Sequence, residues 1–229
     1  MAIRAALFDI DGTLVDSNYL HVDAWSRAFV DIGHPVDAWK IHRSIGMDGE
    51  KLLDALLDDA DAATRERATE RHTHHHESNS GRLRSFDGAR ELIRALSARG
   101  ITVVLATSAP ENELKRLRTV LSLDEFVDAV TSSEDVDTAK PSPDIVKVAL
   151  ERARVSSAEA VMIGDSTWDM EAAGRAGVAS IGVMSGGISA DELRAAGARR
   201  VYSDVEDLLE HLNEALVGDD ADLSTNGKP

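Results

Sequence analysis

The chain contains no cysteine. That excludes disulfides, thiolate metal sites, zinc ribbons and any mechanism built on a cysteine nucleophile. Aromatic residues are scarce at 4%, too few for a surface that reads RNA by stacking its bases. Basic charge is thin as well: no run of Lys or Arg exceeds two residues, and 25 basic against 41 acidic side chains give a formal net charge of −16. Such a chain repels phosphate backbones and anionic lipid surfaces, so neither nucleic acid nor a membrane is expected as a partner. No stretch approaches the roughly 18 uncharged apolar residues of a membrane span. The opening MAIRAALFDIDGTLVDS turns acidic too soon for a secretory signal. A cytoplasmic location is the expectation. Residues 204–222 hold eight Asp/Glu and no Lys or Arg, so half of the excess charge belongs to a solvated helix face and tail.

What is present suffices for a core, since 43% of the 229 residues are hydrophobic. Ile3–Ile10 is a short apolar run that stops at the turn Asp11-Gly12-Thr13 and reads as a buried strand. Ile101–Thr107, Ala160–Gly164 and Ala179–Val183 read alike, with weaker candidates at Val127–Thr131 and Val201–Ser203. Near-continuous apolar runs suit strands covered on both faces. Helical periodicity fills the gaps. Gly88–Arg99 carries Leu92, Ile93 and Leu96 on one face, with Asp87 as the expected N-cap and Gly100 as its stop. Ser142-Pro143 is expected to open another helix, with Ser142 as N-cap and Ile145, Val146, Ala149 and Leu150 facing inward.

This alternation predicts an α/β fold, a doubly wound parallel sheet. Residues 16–85 break it with amphipathic helices instead: Leu20, Ala24, Trp25, Ala28, Phe29 and Ile32 mark one, and Leu52, Leu53, Leu56 and Leu57 a second. A third, 62–80, is polar nearly all round and is expected to be solvated, its His72, His74, His75 and His76 a solvated cluster with a metal site as the alternative. The predicted division is an α/β core of residues 1–15 and 86–217, a helical insertion of residues 16–85, and a frayed tail from 218 to 229. Trp25 and Trp39 are expected in the core of the insertion. His21 is expected to be structural at its junction with the sheet.

Ligands of open α/β sheets bind beyond the carboxyl ends of the strands. Four polar clusters fall there: Asp9 and Asp11 after the first strand, Thr107 and Ser108 after the second long run, Lys140 ahead of a helix, and Asp165 with Asp169 after AVMIG. Several carboxylates share a pocket only with a cation, and hard oxygen donors suit Mg²⁺, which bridges to substrate phosphate. Asp9 is then a candidate nucleophile toward phosphorus, with Asp11 placed to protonate the leaving oxygen and activate water. Thr107 and Lys140 are candidates to hold the phosphoryl oxygens, with Ser108 contributing at most its backbone N–H.

Asp9-Ile10-Asp11-Gly12-Thr13-Leu14-Val15-Asp16-Ser17 resembles the first motif of the haloacid dehalogenase superfamily in its phosphatase form. Thr107 at the close of an apolar strand, Lys140-Pro141, and Gly164-Asp165-Ser166 with Asp169 resemble the second, third and fourth motifs, in order. The helical insertion after motif one, and Ser185-Gly186-Gly187-Ile188 near the end, resemble the phosphoglycolate-phosphatase and β-phosphoglucomutase-like branch, in which the insertion is a cap. The resemblance implies a Mg²⁺-dependent phosphatase of a small phosphorylated metabolite, working through an aspartyl-phosphate on Asp9. It implies metal held by Asp9, the Asp11 carbonyl and Asp165, with Asp169 as a ligand or supporting carboxylate. A sugar phosphomutase and a dormant phosphate-binding protein on the same fold remain the alternatives.

Overall fold

The computed structural model describes residues 2–47, 49–107, 109–136 and 140–217. Strands β1 (Ala5–Phe8), β2 (Thr102–Ala106), β3 (Ala129–Thr131), β4 (Ala160–Gly164), β5 (Ala179–Val183) and β6 (Ala198–Tyr202) form one parallel sheet in the order β3-β2-β1-β4-β5-β6. Chain order reverses at β1, which pairs with β2 on one side and β4 on the other. That switch point is where an open α/β sheet leaves a crevice.

Alternation along each strand sends side chains to opposite faces, and each face has its own core. Ala6 and Phe8 of β1 join Leu105 and Ile163 in one core. It is covered by α5 (Ala89–Ala98), α6 (Glu111–Leu121), α10 (Val205–Glu210) and α11 (Leu212–Ala215), through Leu92, Leu117, Leu208 and Leu212. Ala5 and Leu7 join Val104 and Met162 in the other, under α7 (Asp144–Ala153) and α8 (Thr167–Arg175). A small helix, α9 (Ala190–Ala195), covers the β5–β6 edge through Leu193.

Between β1 and α5 lie α1 (Asn18–Asp31), α2 (Ala38–Ser44), α3 (Gly49–Leu56) and α4 (Ala62–Ser78). They bury a separate cluster of Val22, Trp25, Ala28, Phe29, Ile41, Leu52, Leu53, Leu57 and Ala68. The insertion leaves and rejoins the sheet layer at one place. Val15 and Ser85 form an antiparallel bridge, Asp16 N donates to Arg84 O at 2.9 Å, and Phe86 N donates to Leu14 O at 3.0 Å. The Arg84 guanidinium grips Asp16 Oδ2 with Nε at 3.1 Å and Nη2 at 2.8 Å.

Several local expectations change. The helix expected from Gly88 is not capped by Asp87; Gly88 itself is the N-cap at φ +77°, and a Cβ there would meet the Glu206 backbone at 2.7 Å. Pro143, not Ser142, caps α7, because the Ser142 hydroxyl is bonded to the Asp144 carboxylate at 2.8 Å. Trp39 is 65% exposed on α2 rather than in the core, whereas Trp25 is buried. The polar helix α4 is not solvated all round. Thr64, Ala68 and His76 are buried and His72 is half-buried, a stripe at four-residue steps facing α1 and the sheet layer. The expected tail, 218–229, lies outside the described residues.

Candidate active site

The crevice at the switch point and the inner face of the insertion enclose a cavity of about 510 Å³ lined by Asp9, Asp11, Thr107, Lys140, Asp165 and Asp169. Four sequence segments, reaching from Asp9 to Asp169, thus meet in one space through the order of the strands. Ser108 lies outside the described residues.

Asp9 follows β1 and is fastened to the neighbouring strand by its N–H, which donates to Ile163 O at 2.9 Å. The Lys140 ammonium, 2% exposed as a residue, lies between two carboxylates, 2.5 Å from Asp9 Oδ1 and 2.7 Å from Asp169 Oδ1. Asp169 reaches that position from the first turn of α8, where its Oδ2 accepts from Ser166 N at 3.1 Å and Ser166 Oγ at 2.6 Å. One oxygen therefore closes a capping box while the other meets Lys140. Gly164 makes room for it, since a Cβ at 164 would come within 2.5 Å of the Asp169 side chain.

Asp165 is pinned from two sides, accepting from Thr13 Oγ1 at 3.0 Å and Asn18 Nδ2 at 2.8 Å. The segment 184–187 closes over it. A Cβ on Gly186 would lie 1.8 Å from Asp165 Oδ2, so only glycine fits. Ser185 Oγ ties that segment to Gly12 O at 2.6 Å, and His42 of α2 bonds Gly186 O at 2.8 Å. Thr107 is buried, its hydroxyl accepting from Ala109 N at 3.0 Å. The Asp11 carboxylate turns from this group toward Ser17 Oγ at 2.6 Å and His21 Nε2 at 3.6 Å.

Charge in the crevice is unbalanced. Burial pushes the Asp9 carboxyl up to about 7; Lys140 offsets part of this, and the negative Asp169 and Asp11 add to it. Asp165 is raised well above the usual carboxylate range by burial and by Asp169 and Asp9, against the hydrogen bonds from Asn18 and Thr13. Burial works against the charged Lys140, yet Asp169 and Asp9 hold its ammonium above the ordinary lysine value. Asp9, Asp165 and Asp169 each offer a carboxylate oxygen within 4.8 Å of the others. Three oxygens facing a single ammonium form a donor set suited to a hard divalent cation.

A second cluster lines the same cavity. His21 on α1 stacks on His76 of α4, with centroids 4.0 Å apart, and its Nε2 lies 3.0 Å from Glu113 Oε1 on α6. Burial opposes the His21 charge, but Glu113 and Asp11 outweigh it and raise the group to about 10. Burial works against the Glu113 carboxylate, yet His21 holds it down at about 2. Burial and the His21 charge keep His76 down at about 4 and His72 at about 2. His72 lies flat against Trp25, centroids 4.1 Å apart, so the expected solvated cluster is instead split between this wall and the outer surface. Asn18 and Glu113 carry no motif in the sequence that marks them as site residues, whereas Gly186 carries one, in the Gly186-Gly187 pair.

A profile of the family described as haloacid dehalogenase-like hydrolase matches residues 6–183, which contain Asp9, Asp11, Thr107, Lys140, Asp165 and Asp169. The chain belongs to that family. Among relatives of this hydrolase, a phosphoglycolate phosphatase of Rhodospirillum rubrum is 32% identical over 95% of this chain and 94% of its own length. A phosphorylated carbohydrates phosphatase of Thermotoga maritima is 30% identical over 93% of this chain and 100% of its own. The crystal structure of a hydrolase from Pseudomonas syringae superposes with a TM-score of 0.88 at 36% identity, covering 93% of this chain and 99% of that one. Among the described residues, no helix is long and apolar enough to cross a membrane.

Proposed function

We propose that this hydrolase releases phosphate from a small phosphorylated metabolite by way of an aspartyl-phosphate on Asp9, with Mg²⁺ as its cation. The enzyme is a phosphatase. The observation that carries the mechanism is the convergence of Asp9, Asp165, Asp169 and Lys140 at the carboxyl ends of β1 and β4. Asp9, Asp165 and the Asp11 carbonyl would hold the cation, with Asp169 beside them. When bound, the cation supplies positive charge against the carboxylates and the phosphoryl oxygens.

Lys140 engages Asp9 Oδ1 and leaves the second carboxylate oxygen for attack on phosphorus. As that O–P bond forms, the ester P–O bond breaks and Asp11 gives its proton to the departing oxygen. Asp11 then takes a proton from water, whose oxygen attacks the phosphoryl group and frees Asp9. Thr107 and Lys140 hold the phosphoryl oxygens through both transfers. In this reading residues 16–85 are a cap over a core of residues 1–15 and 86–217, and the cap excludes water from the intermediate. A cytoplasmic location fits, since charged phosphorylated metabolites do not cross membranes unaided.

The deciding assay follows phosphate release from an artificial phosphomonoester and a panel of phosphorylated metabolites. Turnover is expected with Mg²⁺ and is expected to stop on chelation and return on adding Mg²⁺ back. Absence of Mg²⁺-dependent release across the panel overturns the reading. A proton competes with the cation for Asp9, which titrates at about 7. The Mg²⁺ concentration for half-maximal rate should therefore rise as pH falls below 7, by up to about tenfold per unit. Gly186→Ala drives a methyl group into Asp165. It is expected to weaken Mg²⁺ binding by about 10-fold or more in a calorimetric titration.

A further inference from the structure

The second cluster in the cavity is not used by this chemistry, and its donors differ in kind from the acidic set. His21 Nε2 and His76 Nδ1 converge on one atom, Glu113 Oε1, at 3.0 and 3.6 Å. One ligand atom from each of the three residues lies within 4.8 Å of the others. The edges of a tetrahedron drawn around an ion with bonds of about 2.0–2.1 Å are about 3.3 Å long, so these two separations, 3.0 and 3.6 Å, lie on either side of that edge. All three side chains are shielded, being 13%, 4% and 14% exposed. His76 is a buried residue whose Nε2 has no hydrogen-bond partner among the described residues. Its ring stacks on His21 with an interplanar angle of 11°.

We propose that His21, His76 and Glu113 form a second cation site, one that takes a borderline-soft transition metal of the Zn²⁺ or Co²⁺ type. Two imidazoles and one carboxylate favour such ions over Mg²⁺, which prefers oxygen throughout. The three residues come from α1, α4 and α6. The ion therefore fastens the helical insertion to a helix of the sheet layer, on the wall of the cavity that also holds the acidic set. Three protein ligands leave a coordination position open toward the cavity. Asp11, 3.6 Å from His21 Nε2, adds a further carboxylate nearby.

Co²⁺ serves as the probe, added to the full chain with Mg²⁺ in excess to keep the acidic set occupied. One equivalent is expected to produce the visible absorption of a low-coordinate nitrogen-ligated ion, and Zn²⁺ is expected to abolish that band by displacement. Glu113→Gln keeps the side-chain shape and removes the anionic ligand; His76→Ala removes a nitrogen. Each should weaken Co²⁺ binding by at least about 100-fold, and Zn²⁺ should raise the melting temperature of the natural chain but not of Glu113→Gln. His74→Ala, altering an exposed neighbour on the same helix, and Asp165→Asn, altering the acidic set, should leave the band in place. Persistence of the band in Glu113→Gln, its loss in Asp165→Asn, or its absence from the natural chain overturns the proposal. No turnover enters this readout, so its outcome is separate from that of the phosphatase mechanism.

Discussion

Asp9→Asn is expected to abolish phosphate release, by on the order of 10⁴-fold or more, while leaving the fold intact. The amide has the shape of the carboxylate and can still accept from Lys140, but it cannot form the acyl-phosphate bond. The same change should help stability. Asp9 titrates at about 7 in the folded chain against an ordinary value of 3.8. Between those values the folded state holds a proton that the unfolded state has lost, so the metal-free protein loses stability as pH rises through about 7. Asparagine has no such titration. Under chelating conditions the variant should therefore gain melting temperature over the natural chain at pH 8 and much less at pH 5. Retained phosphate release in Asp9→Asn would sink the assignment of the nucleophile, whatever the melting data show.

Lys140→Met should lower both rate and stability. The ammonium is the buried positive charge that bridges Asp9 and Asp169. Its removal leaves two carboxylates facing each other out of water, and breaking a buried ion pair from one side costs about 3–5 kcal/mol. For a chain of this size that corresponds to a fall of roughly 6–20 °C in melting temperature. The loss should be smaller at pH 5 than at pH 8, because without the ammonium Asp9 takes up a proton more readily and so sheds the repulsion at low pH. Added Mg²⁺ should restore part of the stability. The rate should fall by about 10²–10³-fold even with Mg²⁺ present, since the phosphoryl oxygens lose a fixed cation. Equal melting curves for the two chains would show that Lys140 does not carry this charge balance.

Much of the architecture is legible in the sequence because the sheet is covered on both faces. The β4 and β5 runs, AVMIG and ASIGV, are continuous, apolar and bounded by turn residues, and their limits agree with the structure. The edge strand β6 is harder. Arg199 and Arg200 interrupt its apolar pattern because one flank of an edge strand meets solvent, and only its last residues read as strand. Helix α2 escapes notice because seven residues with Ile41 and Ser44 as the buried positions carry too little periodicity. The site residues are legible wherever a motif follows a strand. Glu113 is not: it sits in an ordinary acidic first turn of α6, and its neighbours His21 and His76 are brought to it by packing between helices. For α4, composition misleads because the buried stripe is made of Thr, Ala and His, residues that hydropathy counts as weak or polar.

The paired backbone at 14–16 and 84–86 has an evolutionary consequence. Seventy residues depart from the sheet and return through a doorway two peptide chains wide, so the order and register of the strands beneath do not depend on the length of the detour. Closing a longer or shorter excursion there changes its entropy only with the logarithm of its length. A lineage can accordingly rewrite most of the excursion, trading one roof for another, without re-threading a single strand, provided that its first residues, Ser17 and Asn18, keep their bonds to Asp11 and Asp165. The reacting groups and the groups that meet the rest of a substrate are thus free to diverge at different speeds within one gene.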